Sequence, residues 1–394
     1  MTAQTNLQDP SSKRLVALDL ARGFIMLLMA LDHTVAFVYR YHPSEVWAGA
    51  WTRYQSVYPF LARFVTHLCA PGFFLLMGAG VALFLAARQA HGWSVGQARW
   101  YLVKRGLLLL FINQVLENRI WSFGFAMNQA PPPALGDGPW PGTPGPVWFA
   151  FTVLSGLGLS LCLSALVLTL KTRYLALLGS LVLLSSALVT PGPEHLRDDY
   201  HVLWRLLFLP GHSGVALVLY PLIPWSGLAL WGLTLGRLLH EKPAWVQGRW
   251  AHAGLGLVCA ALLLRVAGGF GNLRLPRDDS AIEFLNLVKY PPALVFTLLF
   301  IGLNLLLLSF WQRAAPHLGR VGPVLATFGQ VPLFFYLTHL FLYCGVGALW
   351  WRKGASLPVT LLVWIAGLVP LYFLCRRYRR FKAATPQTSV WRFF

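Results

Sequence analysis

Apolar residues run through this chain in blocks of about 20, the length that crosses a bilayer as an α-helix. Short polar or Pro/Gly-rich stretches separate the blocks. They predict helices over roughly 14–39, 60–87, 100–117, 146–170, 174–190, 215–239, 250–268, 292–311, 324–350 and 357–378. The fold class expected is all-α, a polytopic transmembrane helix bundle of about ten spans. Val202–Leu209 is apolar but far below bilayer length, and reads as re-entrant or interfacial. Residues 1–12 read as a disordered tail, 13–382 as one transmembrane domain and 383–394 as a cytoplasmic C-terminal tail. No internal repeat and no separate soluble domain is visible.

The first block is unusual. It carries Asp19, Arg22, Asp32 and His33 among leucines and methionines. An ionised group at membrane depth costs roughly 2.5–3.5 kcal/mol on insertion scales, so such groups persist where they have partners or line a wet cavity. Asp19 and Arg22 are spaced to pair on one helix face. His33 returns to nearly the face of Arg22, about 16 Å further along, whereas Asp32 points about 100° away from it. A polar stripe with a cation at one end and an imidazole at the other is the functional reading. An interfacial ion pair plus an interfacial histidine is the plain one. The charges and the length of the apolar run also separate this segment from a signal peptide.

Composition supports a membrane class. The 394 residues are 57% hydrophobic and only 11% charged, with a mean hydropathy of +0.59, against about 25% charged residues in soluble domains. The net charge of +19 raises the question of nucleic acid, and its distribution answers it. With the N-terminus cytoplasmic, 19 of the 32 Lys and Arg residues fall on the cytoplasmic face and 11 on the other, leaving Arg22 and Arg265 within spans. Of the acidic residues outside the spans, only Asp9 and Glu241 share the basic face. The positive-inside rule then places both termini inside, and the basic excess marks the cytoplasmic face rather than a nucleic-acid partner. Arg376–Lys382 reads as a lipid-anchoring run. Five cysteines stand singly in apolar runs, as core residues and not as a disulfide or metal framework.

The long outer loops are Arg40–Pro59, Asn118–Gly145, Pro191–Gly214 and Phe270–Pro291, the kind of segment that forms lids or substrate sites. Near them, Arg63 and His67 share one face of the second block, ahead of a kink at Pro71. Asn113, Gln114, Glu117 and Asn118 form a polar cluster at the end of the third, and either line an acceptor site or solvate a helix end. Lys289 precedes the eighth block, and His339 lies deep in the ninth, in a pocket or in the core. Tyr220–Trp225 places two prolines in an apolar run and predicts a broken helix. Lys104 and Arg105 open the third block where an anionic donor or a lipid headgroup would approach. Sequences of the HExxH, CxxC and Walker types are absent.

These stretches, in order, carry a resemblance. Arg14, Asp19, Arg22 and Gly23 give RLxxLDxxRG, followed by Leu31-Asp32-His33, Pro71–Gly78, Val153–Gly158, Pro221–Gly236 and the stretch ending in His339. From about Lys13 to Phe381 the chain resembles the heparan-α-glucosaminide N-acetyltransferase family, in particular its bacterial membrane branch. The resemblance implies a transmembrane acyltransferase that uses cytosolic acetyl-CoA to acylate a sugar across the membrane, with a proton-transfer histidine in the loop after the first span. The position of an Asn in the animal enzymes corresponds to His33, their catalytic histidine falls near His42–Ser44 in a loop of different length, and a Gln-Arg pair corresponds to Ser155-Gly156. The fold carries over, while acceptor and catalytic residue stay open.

The expected chemistry is acyl transfer from acetyl-CoA to a sugar or glycan, with no metal. Arg22, Lys104 and Arg105 would meet the donor. His33, assisted by Asp32, or else His42, His67 or His339, would be the base, since an imidazole titrates near neutrality. Arg63, Asn113, Glu117 and Lys289 would hold the acceptor. A bacterial inner-membrane location is expected, and a homodimer is compatible with it. The alternative is a transporter or exporter of a small polar or lipid-linked solute that uses the same polar stripe.

Overall fold

In a computed structural model of the chain, the described residues are 10–48, 53–54, 56–130, 140–143, 145–192, 195, 197–386 and 389–393, with side chains from Val16 onward. Residues 1–9, expected to be a disordered tail, lie outside them. Among the described residues, eight helical stretches are long and apolar enough to cross a membrane. The chain is an all-α polytopic protein of the membrane. The predicted span 100–117 is helical throughout and 146–170 in part, but both fall outside the eight. The first carries Lys104 and Arg105, and in the second the helix is short.

Two compact units divide the chain. One comprises Met1–His42, Ile120–Pro131 and Leu303–Phe394; the other comprises Pro43–Arg119 and Pro132–Gly302. In the first unit, α1 (Pro10–Thr34) continues as a π-helical turn, Val35–Tyr39. It packs against α13 (Val321–Gln330), α14 (Pro332–Trp350) and α15 (Leu357–Ala384). The approach to α13 is backbone to backbone: a Cβ on Gly23 would lie 2.0 Å from the Leu325 carbonyl oxygen, and one on Gly329 would lie 2.1 Å from that of Asp19. The ninth apolar block is broken at Val331 (φ −131°, ψ 55°), with Pro332 opening the next helix, because the residue before proline avoids the helical region. The outward apolar side of α15, including Leu362, Ile365, Val369 and Phe373, is exposed, as a lipid-facing surface requires.

The second unit holds α2 (Val57–Thr66), α3 (Cys69–Gln89), α4 (Val95–Ile112), a second π-helical turn Asn113–Glu117, and α6 (Val153–Leu166). It also holds α7 (Thr172–Val189), α8 (Val202–Leu207), α9 (Leu222–Glu241), α10 (Pro243–Ala267) and α11 (Ala281–Leu285). Two helices belong to both units: α5 (Asn118–Ala126) and α12 (Leu294–Ala314). The helices α3 and α9 make the closest pair. Glycines at 78, 232 and 236 let their backbones touch, in the manner of small-residue crossings in membranes. The C-terminal carbonyls of α6 and the turn beyond it are taken up by two arginines. Arg99 donates to Ala165 (3.1 Å) and to the Thr169 hydroxyl (3.1 Å). Arg237 donates to the carbonyls of Leu168 and Leu170.

Three expectations need correction. Residues 149–151 and 216–218, assigned to helices from their hydropathy, are strands. They join 211–213 in a three-stranded sheet of order β1 (Phe149–Phe151), β3 (Ala216–Val218), β2 (Gly211–Ser213), with β1 and β3 parallel. A short apolar run does not distinguish strand from helix. The prolines at 221 and 224 do not break a helix but start one: Pro221 precedes α9 and Pro224 sits in its first turn, where an amide hydrogen has no intrahelical partner to lose. Asn118–Ala126, placed in a loop, is helical, while most of the Pro/Gly run after it lies outside the described residues.

The α3–α9 contact predicts a contrast. A Cβ on Gly232 would lie 2.1 Å from the Leu75 carbonyl oxygen, whereas one on Gly80 meets nothing within 4 Å. Gly232→Ala should cost about 1–3 kcal/mol through overpacking and lower the unfolding temperature in detergent. Gly80→Ala should leave it level or raise it.

Candidate active site

The first unit concentrates the histidines of the sequence reading. Helix α1 delivers Asp32 and His33 at its C-terminal end, on different faces, and each finds its own partner. The Nδ1 of His33 lies 2.7 Å from Nε2 of His339, with the rings stacked 5.0 Å apart. The Nδ1 of His339 lies 2.9 Å from the Phe335 carbonyl oxygen. A carbonyl only accepts, so His339 carries its proton on Nδ1 and, when neutral, accepts on Nε2. His33 must then donate from Nδ1, which leaves the lone pair of its neutral ring on Nε2. A backbone carbonyl thus sets the tautomer of a histidine two steps away.

Asp32 pairs with the loop. Its Oδ2 accepts from Nε2 of His42 at 3.0 Å. By the same reasoning His42 holds its proton on Nε2 and its lone pair on Nδ1. This is the arrangement of a base oriented by a carboxylate. Trp121 of α5 lies between the two pairs: its ring is 5.1 Å from His33, edge to face, and 6.1 Å from His42. His33 and His339 are buried, while the side chain of His42 keeps about a quarter of its surface exposed. His42 is therefore the imidazole best placed to meet a reactant.

At the other end of α1, Asp19 and Arg22 pair as expected, at 3.1 Å. Arg22 also donates to the Gly329 carbonyl (3.1 Å), at the helix break. Gln330 donates to Asp19 (3.0 Å) and accepts from Arg379 (3.1 Å). Much of this cation is spent on joining α1 to the C-terminal end of α13.

The remaining candidates belong to the second unit. Glu45, 1% exposed, accepts two bonds from Arg63 (Nε to Oε1 and Nη2 to Oε2, both 2.9 Å) and one from the Tyr54 hydroxyl (3.0 Å). His67 approaches it to 3.6 Å, between the rings of Phe296 and Phe300. Lys289 lies over the ring of Tyr290 at 5.0 Å, and the amides of both residues donate to the Glu45 carbonyl. Arg63 and His67 thus converge on one carboxylate that the sequence reading did not single out, and Lys289 bonds the backbone of the same residue. The only hint was its place in a long loop.

Asn113 and Glu117 come together at the second π-helical turn. The amide of Asn113 donates to Glu117 (2.8 Å) and to Thr152, and its carbonyl oxygen accepts from Ser155 and from Gln114 (3.0 Å). Both amide hydrogens and both lone pairs of Asn113 are used, so this side chain is a structural keystone. Lys104 is exposed beside Trp100, and Arg105 is half-buried.

These features define a helical membrane protein with two histidine-centred hydrogen-bonded pairs at the end of its first span. The sequence pattern of the heparan-α-glucosaminide N-acetyltransferase catalytic region matches residues 14–264, well over half of the chain. The chain belongs to that family. The match includes Asp32, His33 and His42, and stops short of Lys289 and His339. No curated protein matches the chain.

The Glu45 cluster predicts an acid limb in stability. Burial works to raise this carboxyl, but the charges of Arg63 and His67, the Arg63 hydrogen bonds and Lys289 outweigh it and hold it at about 2, against an ordinary 4.5. A depressed folded value gives stability that is complete above the unfolded value and is lost as pH falls. The unfolding temperature should therefore drop between pH 4.5 and about 2. Glu45→Gln should lose that limb and, with Arg63 left buried and uncompensated, cost about 3–5 kcal/mol at neutral pH.

Proposed function

We propose that this protein transfers an acetyl group from cytosolic acetyl-CoA to a sugar or glycan acceptor on the far side of a bacterial inner membrane. Residues 13–382 act as a single catalytic domain with both termini inside. The observation that carries the reading is the Asp32–His42 pair beside the His33–His339 pair in a chain of this family. Acetyl-CoA supplies an activated thioester and an anionic handle. Lys104 and Arg105, midway along α4, provide cations for its phosphates, and Arg22 has for such a role only the part of its guanidinium that Asp19 and Gly329 leave.

His42 is the general base. Its Nδ1 takes the proton from the acceptor amine or hydroxyl as that atom bonds to the thioester carbonyl carbon. Asp32 stabilises the imidazolium that results. As the carbon–sulfur bond breaks, the same proton passes from His42 to the departing sulfur, which completes the exchange with no redox step. His33, held by His339, and Trp121 form the wall behind it. Glu45, Arg63 and Lys289 of the second unit are assigned to the acceptor, and Asn113 and Glu117 support the fold of that unit.

The test is release of free CoA from radiolabelled acetyl-CoA by the purified protein, with and without extracted periplasmic glycans. Release that depends on glycan is expected, and no release at all sinks the reading. Removal of a general base costs about 10²–10⁴-fold, so His42→Ala should fall in that range while still binding acetyl-CoA. If instead His33→Ala abolishes turnover and His42→Ala does not, the base is His33. A reporter fused after residue 130 should read extracytoplasmic, and a cytoplasmic signal would reverse the topology.

A further inference from the structure

Arg40 stands between the first π-helical turn and His42, in a left-handed backbone conformation (φ 64°, ψ 23°) that a non-glycine residue seldom adopts. Its amide closes the π turn on the Val35 carbonyl at 3.0 Å. Its side chain turns inward and is 8% exposed. There the guanidinium donates from Nε to the Trp351 carbonyl (3.1 Å) and from Nη1 to the Gly124 carbonyl (2.8 Å). Its Nη2 is buried and meets no acceptor among the described atoms.

Both carbonyls stand at helix C-termini. Trp351 caps α14, and Gly124 lies in the last turn of α5. Each such end carries about half a negative charge, which compensates a buried cation without a carboxylate. The surroundings fit the side chain closely. Gly354, at φ +87°, has its Cβ position 3.7 Å from Cβ and Cγ of Arg40, and the Ala355 amide donates to Val38 (2.8 Å).

The three elements that meet on this guanidinium are those that carry the candidate chemistry. Helix α14 holds His339, α5 holds Trp121, and Arg40 itself is two residues from His42. We infer that Arg40 is a positioning residue of the acetyl-transfer site: it fixes the turn that lays His42 against Asp32 and ties that turn to the helices bearing Trp121 and His339. The assignment rests on the role proposed for His42. A fork of planar donors is needed to hold two carbonyls at once, which a lysine ammonium on a flexible stem does poorly.

The experiment is a double-mutant cycle on the detergent-purified full chain, with Arg40→Ala and Arg40→Lys each made alone and with His42→Gln. Misplacing a catalytic group by about 1 Å can cost about 10²-fold. Arg40→Ala should therefore lower kcat by about that factor and leave KM for acetyl-CoA within about twofold. Arg40→Lys should recover part of the loss. In the His42→Gln background, Arg40→Ala should lower the residual rate by less than about twofold, because the group it positions is already gone. An equal loss in both backgrounds means a merely structural arginine and overturns the assignment, as does an unchanged kcat. If Arg40→Ala does not fold, Arg40→Lys in the two backgrounds decides by the same criterion. A wild-type protein with no acetyl transfer overturns this assignment together with the function it rests on.

Discussion

Ionised side chains inside a membrane protein must be solvated by the protein itself, and that constraint shapes both units. The solution used most often is a guanidinium on backbone carbonyls. Arg237 and Arg99 close the end of α6. Arg205 is fully buried and holds the loop after α7 through the carbonyls of Pro210 and Asp198. Arg265 does the same at the end of α10, through Phe284, Arg274 and Glu283. Carbonyls that helix geometry leaves unsatisfied and charges that lack water meet each other's need. Arg63 and Arg22 instead take a carboxylate, Glu45 and Asp19 respectively.

This rule explains what was legible in the sequence. Hydropathy located most of the long apolar helices, because apolar blocks of bilayer length have few other uses. The pairing of Asp19 with Arg22 followed from helical spacing, as did the divergence of Asp32 and His33. Partners far apart in the chain were not legible. Nothing local to Asp32 names His42, and no periodicity joins His33 to His339 across about 300 residues. Arg40 and Arg205 looked like surface charges of an outer loop, because a sequence does not show a guanidinium turning inward to carbonyls. The sheet was missed for a related reason. Its strands are three residues each, and the hydropathy of two of them, Phe149–Phe151 and Ala216–Val218, merges into the helices that follow.

The histidine pairs also show why family resemblance and geometry complement each other. Resemblance placed a proton-transfer histidine somewhere near residues 42–44 but left the residue open. Geometry gives His42 a carboxylate and a defined lone pair. It also gives His33 a partner on α14, beyond the part of the chain that matches the family.

The π-helical turns have a consequence for register. Each holds one residue more than an α-turn would, so whatever follows is rotated by about 100° relative to an uninterrupted helix. In α1 the offset falls between Asp32 and His42, and the loop leaves the helix on a face that an α-helical projection would not assign to it. A relative with one residue fewer between these positions would regain a regular helix and present a different loop residue to Asp32. Aligned by sequence alone, the loop histidines of such proteins would look displaced, although their chains had changed only in phase.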